Sequence, residues 1–370
     1  MITLIEFEKR RLLFDNPLDV ICCNNLTDVR DSFDKIERAL QSGHYLAGFI
    51  SYEAGYAFEE CLQNKQNFDF PLVLMGTYKA PKNKEKEKEK AKVQVQEKVQ
   101  VNEINITKSE YFNDIEKIRK YIAAGDVYQI TYCIKFKFDF NGKPSFLYNR
   151  LKKEQPVPYP AYIETDDFSI LSLSPEMFIK KRGENIVTKP MKGTWPKGSN
   201  FFEDLWAGRK LHKDPKNRAE NVMIADLLRN DLGRIGRGIR APKLFEVARY
   251  ATLYQMTSTV TGKINKYIPI YDVFKALHPS GSVTGAPKIR AMEIIREIER
   301  EERKIYTGAI GYITPERDMF FNVPIRTLLI KDGKGEMGVG GGIVWDSTPQ
   351  GEFDEGMLKA KFLLDMETKS

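Results

Sequence analysis

The chain has 370 residues, of which 42% are hydrophobic and 29% are charged, and it carries a formal net charge of +7. These proportions are typical of a soluble protein with a substantial core, folded as one large domain or two. No run of about 18 apolar residues occurs, which argues against a membrane span, and the N-terminus lacks the apolar segment of a signal peptide. The three histidines and four cysteines show no metal-ligand spacing, which argues against a histidine zinc site and a disulfide framework. We therefore expect a protein of the reducing cytoplasm.

The first 79 residues predict short strands around one helix near residues 28–41, and we expect this N-terminal segment to be part of the same fold as the rest. Residues 80–106 are expected to form a charged linker, although their second half alternates in polarity as an edge strand does. The run is rich in lysine and glutamate but has no interleaved aromatic residue, so a solvated segment is favoured over a nucleic-acid contact. No nucleic-acid or membrane partner is expected.

From residue 107 onwards the pattern becomes regular. A helix is predicted from an N-cap at Ser109 to a stop at Gly125. Strands then follow in runs, and further helices are predicted near residues 217–232, 271–277, 287–301 and 351–367. Because strands and helices do not alternate strictly, we predict an α+β fold in which large antiparallel β-sheets pack as a sandwich with helices outside.

The segment SLSPEMFIKKRGENIVTKPMKGT predicts a hairpin whose turn is centred on Gly183-Glu184 or one residue later. Counting back along both strands places Glu176 opposite Met191 or Lys192. An ordinary cross-strand ion pair at this place would contribute on the order of a few tenths of a kcal/mol. The functional alternative is a nucleophilic lysine with an acid beside it.

Two predicted helices carry acids along faces that then become apolar. Glu220 begins such a face in AENVMIADLLRNDLGR. Glu352, Glu355 and Lys359 share a face in PQGEFDEGMLKAKFLLDME. Carboxylates without histidines or thiolates suit a hard cation, with Mg²⁺ first. Glu220 can equally mark an exposed first turn, where the helix dipole favours an acid.

Further binding groups are predicted in the C-terminal half. Thr284 can cap the helix after the SGSVTGAPK loop, where free N–H groups and Lys288 would form an anion site; a purely structural capping loop is the alternative. The glycines of VGGGIVWD let a ligand approach bare backbone. Arg326 lies in an apolar strand, where its guanidinium needs a carboxylate from a ligand or from a structural ion pair. Together these groups suit a small polyanionic organic acid.

The order of the motifs resembles that of a known family. Over about residues 109–367 the chain is similar to the chorismate-utilising enzymes, which are anthranilate synthase component I, aminodeoxychorismate synthase component I, isochorismate synthase and salicylate synthase. The motifs are SLSPEMF, KPMKGT, AENVMIADLLRNDLGR, YQMTSTV, SGSVTGAPKIRAMEII, GAIGY, IRTL, GGGIV and EFDEGMLKAK. This resemblance implies an anthranilate synthase component I-like fold with a chorismate-binding catalytic region over residues 107–370. FDNPL and GFISYEAGYAFEE resemble the aminodeoxychorismate synthase branch.

The resemblance also implies roles for single residues. The acids at the positions of Glu220 and Glu355 bind Mg²⁺ in that family, Glu352 lies next to the metal, and the metal holds the ring carboxylate of chorismate. The implied substrate-binding positions are Thr284, Gly285, Tyr312, Arg326, Gly340, Gly342 and Lys359.

Three positions separate the branches of the family. Lys192 stands where aminodeoxychorismate synthases often have lysine and the other branches usually have a small residue. Gln129 replaces the lysine base of isochorismate and salicylate synthases, and Gln255 replaces a histidine linked to pyruvate elimination in anthranilate synthase. The resemblance therefore implies amination of chorismate at C4 to 4-amino-4-deoxychorismate, in para-aminobenzoate and folate biosynthesis, with Lys192 as nucleophile and Glu176 as acid.

The implied partner is a glutamine amidotransferase subunit. The sequence has no Gly-x-Cys-x-Gly elbow, so ammonia is expected from a separate chain, and a separate aminodeoxychorismate lyase is expected to act downstream. The alternatives are anthranilate synthase component I, which aminates C2, and a non-catalytic carboxylate-binding subunit of an amidotransferase complex.

Overall fold

The computed structural model describes residues 1–63, 66–83, 98–198, 200–250 and 253–367. The strands are β1 (Ile2–Ile5), β2 (Leu12–Phe14), β3 (Asp19–Cys23), β4 (Tyr45–Ile50), β5 (Val73–Tyr78), β6 (Lys82–Asn83), β7 (Lys98–Ile104), β8 (Gln129–Asn141), β9 (Tyr159–Glu164), β10 (Ser169–Ser174), β11 (Met177–Arg182), β12 (Asn185–Lys189), β13 (Met191–Pro196), β14 (Gly236–Arg249), β15 (Leu253–Ile264), β16 (Gly285–Ala286), β17 (Ala309–Ile313), β18 (Met319–Asn322), β19 (Thr327–Lys331) and β20 (Lys334–Ile343). The α-helices are α1 (Val29–Gln41), α2 (Lys108–Ala123), α3 (Pro144–Glu154), α4 (Phe201–Lys213), α5 (Pro215–Gly233), α6 (Ile270–Leu277), α7 (Lys288–Ile298) and α8 (Pro349–Glu367).

The strands form two antiparallel sheets of ten strands each. The first sheet has the order β16-β8-β20-β19-β10-β9-β1-β2-β6, with β7 also paired to β8. The second has the order β13-β15-β12-β11-β18-β17-β4-β5-β3, with β14 also paired to β15. The N-terminal strands thus belong to the same two sheets as the later ones.

Two hydrophobic clusters hold these layers together. One joins the inner faces of the sheets, since Ile5 and Ile170 of the first sheet share it with Phe49 and Phe320 of the second. The other cluster joins the sheets to the apolar faces of α1, α2, α5, α6 and α7. The predicted α+β sandwich with helices outside is confirmed. None of the helices in the described ranges is long and apolar enough to cross a membrane.

The helix predicted with its N-cap at Ser109 begins two residues earlier than expected, at Lys108. Its N-cap is Thr107, whose Oγ1 accepts a hydrogen bond from the Glu110 N–H at 3.3 Å. The Glu110 carboxylate accepts one from the Thr107 N–H at 2.9 Å in return. This reciprocal capping box satisfies two N–H groups, which explains why Thr107 rather than Ser109 takes the cap position.

The ends of the predicted charged linker belong to the first sheet. Lys82 and Asn83 pair with β2, and the alternating stretch forms β7, in which Val99 is 3% exposed. Residues 84–97, which hold most of the predicted linker, lie outside the described residues. β6 lies at one end of the first sheet and β7 near the other, so the two ends of this connection lie far apart along the sheet.

Shortening this connection is expected to destabilise the protein. About eight strand spacings of about 4.8 Å, or roughly 38 Å, separate β6 from β7 along the sheet. Deleting ten of the residues 84–97 leaves about five peptide steps, which reach only about 17 Å. We expect one strand to detach and the melting temperature to fall by several degrees, measured by circular dichroism.

An insertion at the same place is the matched control. Ten added Gly/Ser residues are expected to leave the melting temperature nearly unchanged, because the entropy of loop closure grows only slowly with length. A deletion variant that melts like the parent protein would contradict the prediction.

Candidate active site

A cavity of about 250 Å³ lies between the two sheets and the N-terminal ends of α5 and α8. Strands β8 and β20 of the first sheet form one wall, and β13 and β15 of the second sheet form another. The predicted site residues that line the cavity are Glu176, Lys192, Glu220, Arg326, Gly340, Gly342, Glu352, Glu355 and Lys359. The fold thus brings together groups that are far apart in the sequence.

Glu176 lies in the short connection between β10 and β11 and is 2% exposed. Its Oε1 accepts hydrogen bonds from Ser282 Oγ at 2.5 Å and from the Met191 N–H at 3.4 Å. Burial raises the pKa of Glu176 to about 7, although both donors oppose the shift. The carboxyl group can therefore hold a proton near neutral pH, as an acid catalyst must.

Lys192 lies in β13 and its side chain faces the cavity. Burial lowers the pKa of its amine, and the carboxylates of Glu220 and Glu176 oppose this shift without reversing it. The Nζ atom lies 2.7 Å from the position that a Cβ atom on Gly342 would occupy, so the amine reaches the opposite wall of the cavity. A lowered pKa increases the neutral fraction of a lysine, which is the nucleophilic form.

The predicted hairpin register holds at the turn, where Arg182 pairs with Asn185. In the described part of the chain, Glu176 is held by Ser282 and the Met191 backbone and makes no ion pair with Lys192. A plain cross-strand ion pair therefore does not explain why the acid and the lysine share this cavity.

Three acids from two helices face the cavity, Glu220 from α5 and Glu352 and Glu355 from α8. Burial raises the pKa of Glu220 and of Glu352, and the charge of Glu355 adds to both shifts. No three acidic, histidine or cysteine side chains among the described residues stand close enough to hold a metal ion by themselves. Mg²⁺ usually takes one or two protein carboxylates and completes its shell with water and substrate oxygens, so the pair Glu220 and Glu355 fits this cation.

Lys359 connects α8 to the wall formed by β20. Its Nζ lies 2.8 Å from Glu355 Oε1 and donates a hydrogen bond to the Gly340 carbonyl at 2.8 Å. The charge of Lys359 is the main cause that lowers the pKa of Glu355. Glu355 is therefore ionised at neutral pH, as a metal-binding carboxylate must be.

Arg326 is a cation without an acidic partner. No carboxylate among the described residues lies within salt-bridge distance of it, and its nearest polar contact is Gln255 Oε1 at 3.5 Å from a guanidinium nitrogen. The guanidinium carbon lies 5.7 Å from the ring centroid of Tyr250. Burial lowers the pKa of Arg326, with Tyr250 opposing the shift. A buried guanidinium in this state favours an anionic ligand such as a carboxylate.

The glycines of β20 form a wall without side chains. A Cβ atom on Gly340 would lie 2.6 Å from the Tyr132 carbonyl oxygen, which is too close for any other residue. Gln129 lies on the same side of Gly342 as the Lys192 amine, with its Nε2 at 2.9 Å from the position of a Cβ on that glycine. The Gln129 side chain is buried, and neither of its polar atoms has a hydrogen-bond partner among the described residues. Such a group costs about 1–3 kcal/mol, which is typical of a site that receives a ligand.

Thr284 and Gly285 lie behind the cavity wall rather than on its surface. The Thr284 carbonyl accepts a hydrogen bond from the Thr131 N–H at 2.6 Å, and Gly285 pairs with β8. The cavity is lined instead by the two preceding residues, Ser282 and Val283. The loop of the SGSVTGAPK motif thus reaches the cavity, but with its earlier residues rather than with Thr284 and Gly285.

The loop around Lys288 does not form the predicted anion site. Lys288 Nζ lies 2.6 Å from Asp231 Oδ2 and donates a hydrogen bond to the Ala276 carbonyl at 3.3 Å. Lys288 therefore joins the start of α7 to the ends of α5 and α6, as the structural alternative expects.

Tyr312 does not reach the cavity. It lies in β17, where its ring centroid is 6.1 Å from that of Phe14, and it lines a separate small cavity together with Arg10 and Arg182. Tyr306, which precedes the same strand, lines the larger cavity. Tyr306 rather than the expected Tyr312 therefore faces the cavity, because GAIGY identifies the strand and not the turn before it.

Sequence reasoning also missed a buried network behind the cavity. Arg303 is 2% exposed, pairs with Glu299 at 2.6 Å, and donates hydrogen bonds to the carbonyls of Thr131 at 2.7 Å and Val283 at 2.8 Å. Both carbonyls belong to residues that line the cavity. Nothing in the charged run EREERK distinguishes Arg303 from its exposed neighbours.

Comparison with known sequences identifies the family. The profile of the chorismate binding enzymes matches residues 15–365. The chain is 38% identical over 256 residues to aminodeoxychorismate synthase component 1 of Bacillus subtilis, covering 69% of this chain and 54% of that protein. It is 37% identical over 262 residues to anthranilate synthase component 1 of Aquifex aeolicus, covering 70% of this chain and 53% of that protein. The matched region therefore spans little more than half the length of these relatives.

Solved structures agree with the profile. Anthranilate synthase component I from Streptococcus pneumoniae superimposes with a TM-score of 0.78 at 25% identity, covering 98% of this chain and 90% of that chain. The menaquinone-specific isochorismate synthase MenF from Escherichia coli shares the fold, with a TM-score of 0.77 at 16% identity, covering 99% of this chain and 88% of that chain. Because the family profile matches residues 15–365, which are nearly the whole chain, this protein belongs to the chorismate binding enzyme family.

Proposed function

We propose that this protein is an aminodeoxychorismate synthase component, which aminates chorismate at C4 to give 4-amino-4-deoxychorismate for para-aminobenzoate and folate biosynthesis. The proposal includes Mg²⁺ as cofactor and a glutamine amidotransferase subunit as the source of ammonia. The observation that carries it is that the half-buried Lys192, whose amine has a lowered pKa, shares one cavity with Glu176, a carboxyl group whose pKa is about 7. A lysine nucleophile and a protonated acid are what the C4 reaction requires.

Substrate binding follows from the charges of the cavity. Arg326, whose guanidinium has no acidic partner among the described residues, and the amine of Lys359 would hold the carboxylates of chorismate. Mg²⁺ held by Glu220 and Glu355, with Glu352 beside them, would neutralise the ring carboxylate. Glycine at position 342 lets the Lys192 amine lie against the backbone of β20, because a side chain there would occupy the place of the amine.

The first chemical step uses the lysine and the acid together. The neutral Lys192 amine forms a bond to C2 of the ring while the double bonds shift and the C4–O bond breaks. Glu176 gives its proton to the leaving oxygen, which departs as water. The ring is then linked to the protein through the Lys192 nitrogen.

The second step reverses this displacement. Ammonia forms a bond to C4, the double bonds shift back, and the bond between C2 and the Lys192 nitrogen breaks. The proton that ammonia loses restores the acid, so that chorismate and ammonia give 4-amino-4-deoxychorismate and water. The buried site keeps bulk water away from the linked ring.

Amination at C2 is the second candidate, because anthranilate synthase component 1 of Aquifex aeolicus is nearly as similar as the aminodeoxychorismate synthases. Lys192 and Gln255 favour C4 amination, since both line the cavity at the positions where the branches differ. A non-catalytic carboxylate-binding subunit would not need a lysine of lowered pKa beside a protonated acid.

The test is the product formed from chorismate, Mg²⁺ and ammonium. We expect a non-fluorescent product that keeps its enolpyruvyl group and carries nitrogen at C4, identified by mass spectrometry and NMR. Fluorescent anthranilate as the product would establish amination at C2. Chorismate that binds but stays unchanged would establish a non-catalytic carboxylate-binding subunit.

The pKa of Glu176 predicts the pH dependence of the first step. Formation of the lysine adduct should slow as the pH rises through about 7, because the acid loses the proton that it must give to the leaving oxygen. The Ser282 hydroxyl stabilises the carboxylate, so Ser282→Ala should raise the pKa of Glu176. The fall in the rate of adduct formation should then occur at a higher pH. The rate is measured by intact-protein mass spectrometry without ammonia, whose own protonation would distort the profile. If the rate falls at the same pH in Ser282→Ala as in the wild type, the fall is caused by a group other than Glu176.

A further inference from the structure

Lys192 lies in a β-bulge between β13 and β15. Met191 pairs with Thr257, and the next pair joins Thr194 to Gln255. Between these pairs β13 has two residues and β15 has one, so the register shifts at Lys192 and Gly193. A bulge turns side chains away from the regular alternation and leaves backbone groups outside the ladder of the sheet. Some other group has to satisfy the Lys192 carbonyl.

Asn221 of α5 supplies that group. It is 1% exposed, and its Nδ2 donates a hydrogen bond to the Lys192 carbonyl at 3.3 Å. Its Oδ1 accepts a short hydrogen bond from Ser258 Oγ, and the Ser258 N–H donates to the Pro190 carbonyl at 3.3 Å. One carboxamide therefore joins the bulge to both the helix and the neighbouring strand.

A second asparagine supports the same contact one turn earlier. A Cβ atom on Gly193, which has φ +94°, would lie 2.8 Å from Asn217 Oδ1, so the bulge packs tightly on this turn of α5. Asn217 and Asn221 are four residues apart and share a face of the helix. Lys216 and Glu220 occupy the adjacent positions and line the cavity. Helix α5 thus presents charged groups to the ligand space and amide groups to the bulge.

We infer that Asn221 is a positioning residue that holds the bulge and thereby aims the Lys192 amine at the substrate. The inference rests on the proposed function, in which Lys192 attacks the ring. Misplacement of a reacting group by about 1 Å can cost on the order of 100-fold in rate, so a single hydrogen bond at the bulge can matter greatly. Asn221 itself touches no reacting atom in this scheme.

The test compares Asn221→Leu, Asn221→Ala and Ser258→Ala with Asp226→Ala, a control on the exposed face of the same helix. In both Asn221 variants, adduct formation on Lys192 should slow at least about 30-fold, while the dissociation constant of chorismate with Mg²⁺ changes less than about 3-fold. Ser258→Ala should act in the same direction and more weakly, because Asn221 keeps its bond to Lys192. Two Asn221 variants are used so that a folding defect in one leaves the other to decide.

Repeating the Asn221→Leu substitution in the Lys192→Ala protein shows whether Asn221 acts by orienting the lysine or only by supporting the fold of α5. There, Asn221→Leu should change the residual rate of amination less than about 2-fold, because no lysine is left to aim. An equal loss in both backgrounds, or a loss of chorismate affinity that matches the loss of rate, would overturn the inference.

A wild-type protein that forms no adduct would refute the lysine step of the proposed function and not the role of Asn221. Crystal structures then decide the inference. Displacement of Lys192 Nζ by more than about 1 Å in Asn221→Leu supports it, and an unmoved amine overturns it.

Discussion

Lys192→Ala is expected to abolish the covalent adduct and to slow amination of chorismate by at least about 100-fold, the scale expected for loss of a nucleophilic catalyst. The adduct is sought as added mass on the peptide that contains Lys192, after incubation with chorismate and Mg²⁺ without ammonia. Wild-type protein should show the mass and the variant should not. The melting temperature should not fall, because burial of the amine lowers its pKa and therefore costs free energy in the folded protein.

Some amination should survive in Lys192→Ala, because ammonia can attack a bound and oriented ring directly. Part of this residual product is expected to carry nitrogen at C2, since the lysine no longer covers that face of the ring. Lys192→Arg is the matched control for the loss of charge, and it should not restore the rate, because a guanidinium stays protonated and cannot attack. A wild-type protein without adduct, together with Lys192→Ala at full rate, would contradict the assignment of Lys192 as nucleophile.

Glu220→Ala and Glu355→Ala are each expected to weaken chorismate binding in the presence of Mg²⁺ by at least about 100-fold, because each removes a predicted metal ligand. Chelation with EDTA should produce the same loss in the wild-type protein, and added Mg²⁺ should reverse it there but not in the variants. Binding is measured by isothermal titration calorimetry. Asp354→Ala, which changes an exposed acid of α8 next to Glu355, is the control and should bind as the wild type does.

Stability distinguishes this result from simple unfolding. Burial raises the pKa of Glu220, so its ionised form costs free energy in the folded protein above the pKa of the unfolded chain. Glu220→Ala should therefore melt at the same temperature as the wild type or higher at neutral pH. Full affinity of either variant for chorismate would exclude that acid from the metal site.

Local patterns predicted the parts of the site that depend on local geometry. Glu176 was placed near Lys192 because a tight hairpin fixes the register beside its turn. In the structure the register shifts between Met177 and Lys180, so regular pairing does not extend as far as Glu176. Glu220, Glu355 and Lys359 were placed on cavity-facing surfaces because helical spacing decides which residues share a face. The two-sheet fold followed from runs of strands without alternating helices.

The remaining parts depend on how segments turn after they leave an element. Tyr306 lies in a turn before β17, where the strand pattern no longer fixes the direction of a side chain. The helices α3 and α4 were not predicted, although their apolar periodicity is no weaker than that of α5 and α8, which were predicted. The bulge at Lys192 also needs three-dimensional information, because one extra residue in a strand leaves no mark on its composition.

The two walls of the cavity have a consequence for how the protein folds. β8 and β20 belong to one sheet and β13 and β15 to the other, so neither sheet alone contains all the groups that line the cavity. Such long-range contacts form late, after the cost of closing large loops has been met. A ligand that needs both walls binds only the completed native state and stabilises it by mass action. Recovery of chorismate binding during refolding should therefore lag behind the recovery of strand content and report the docking of one sheet on the other.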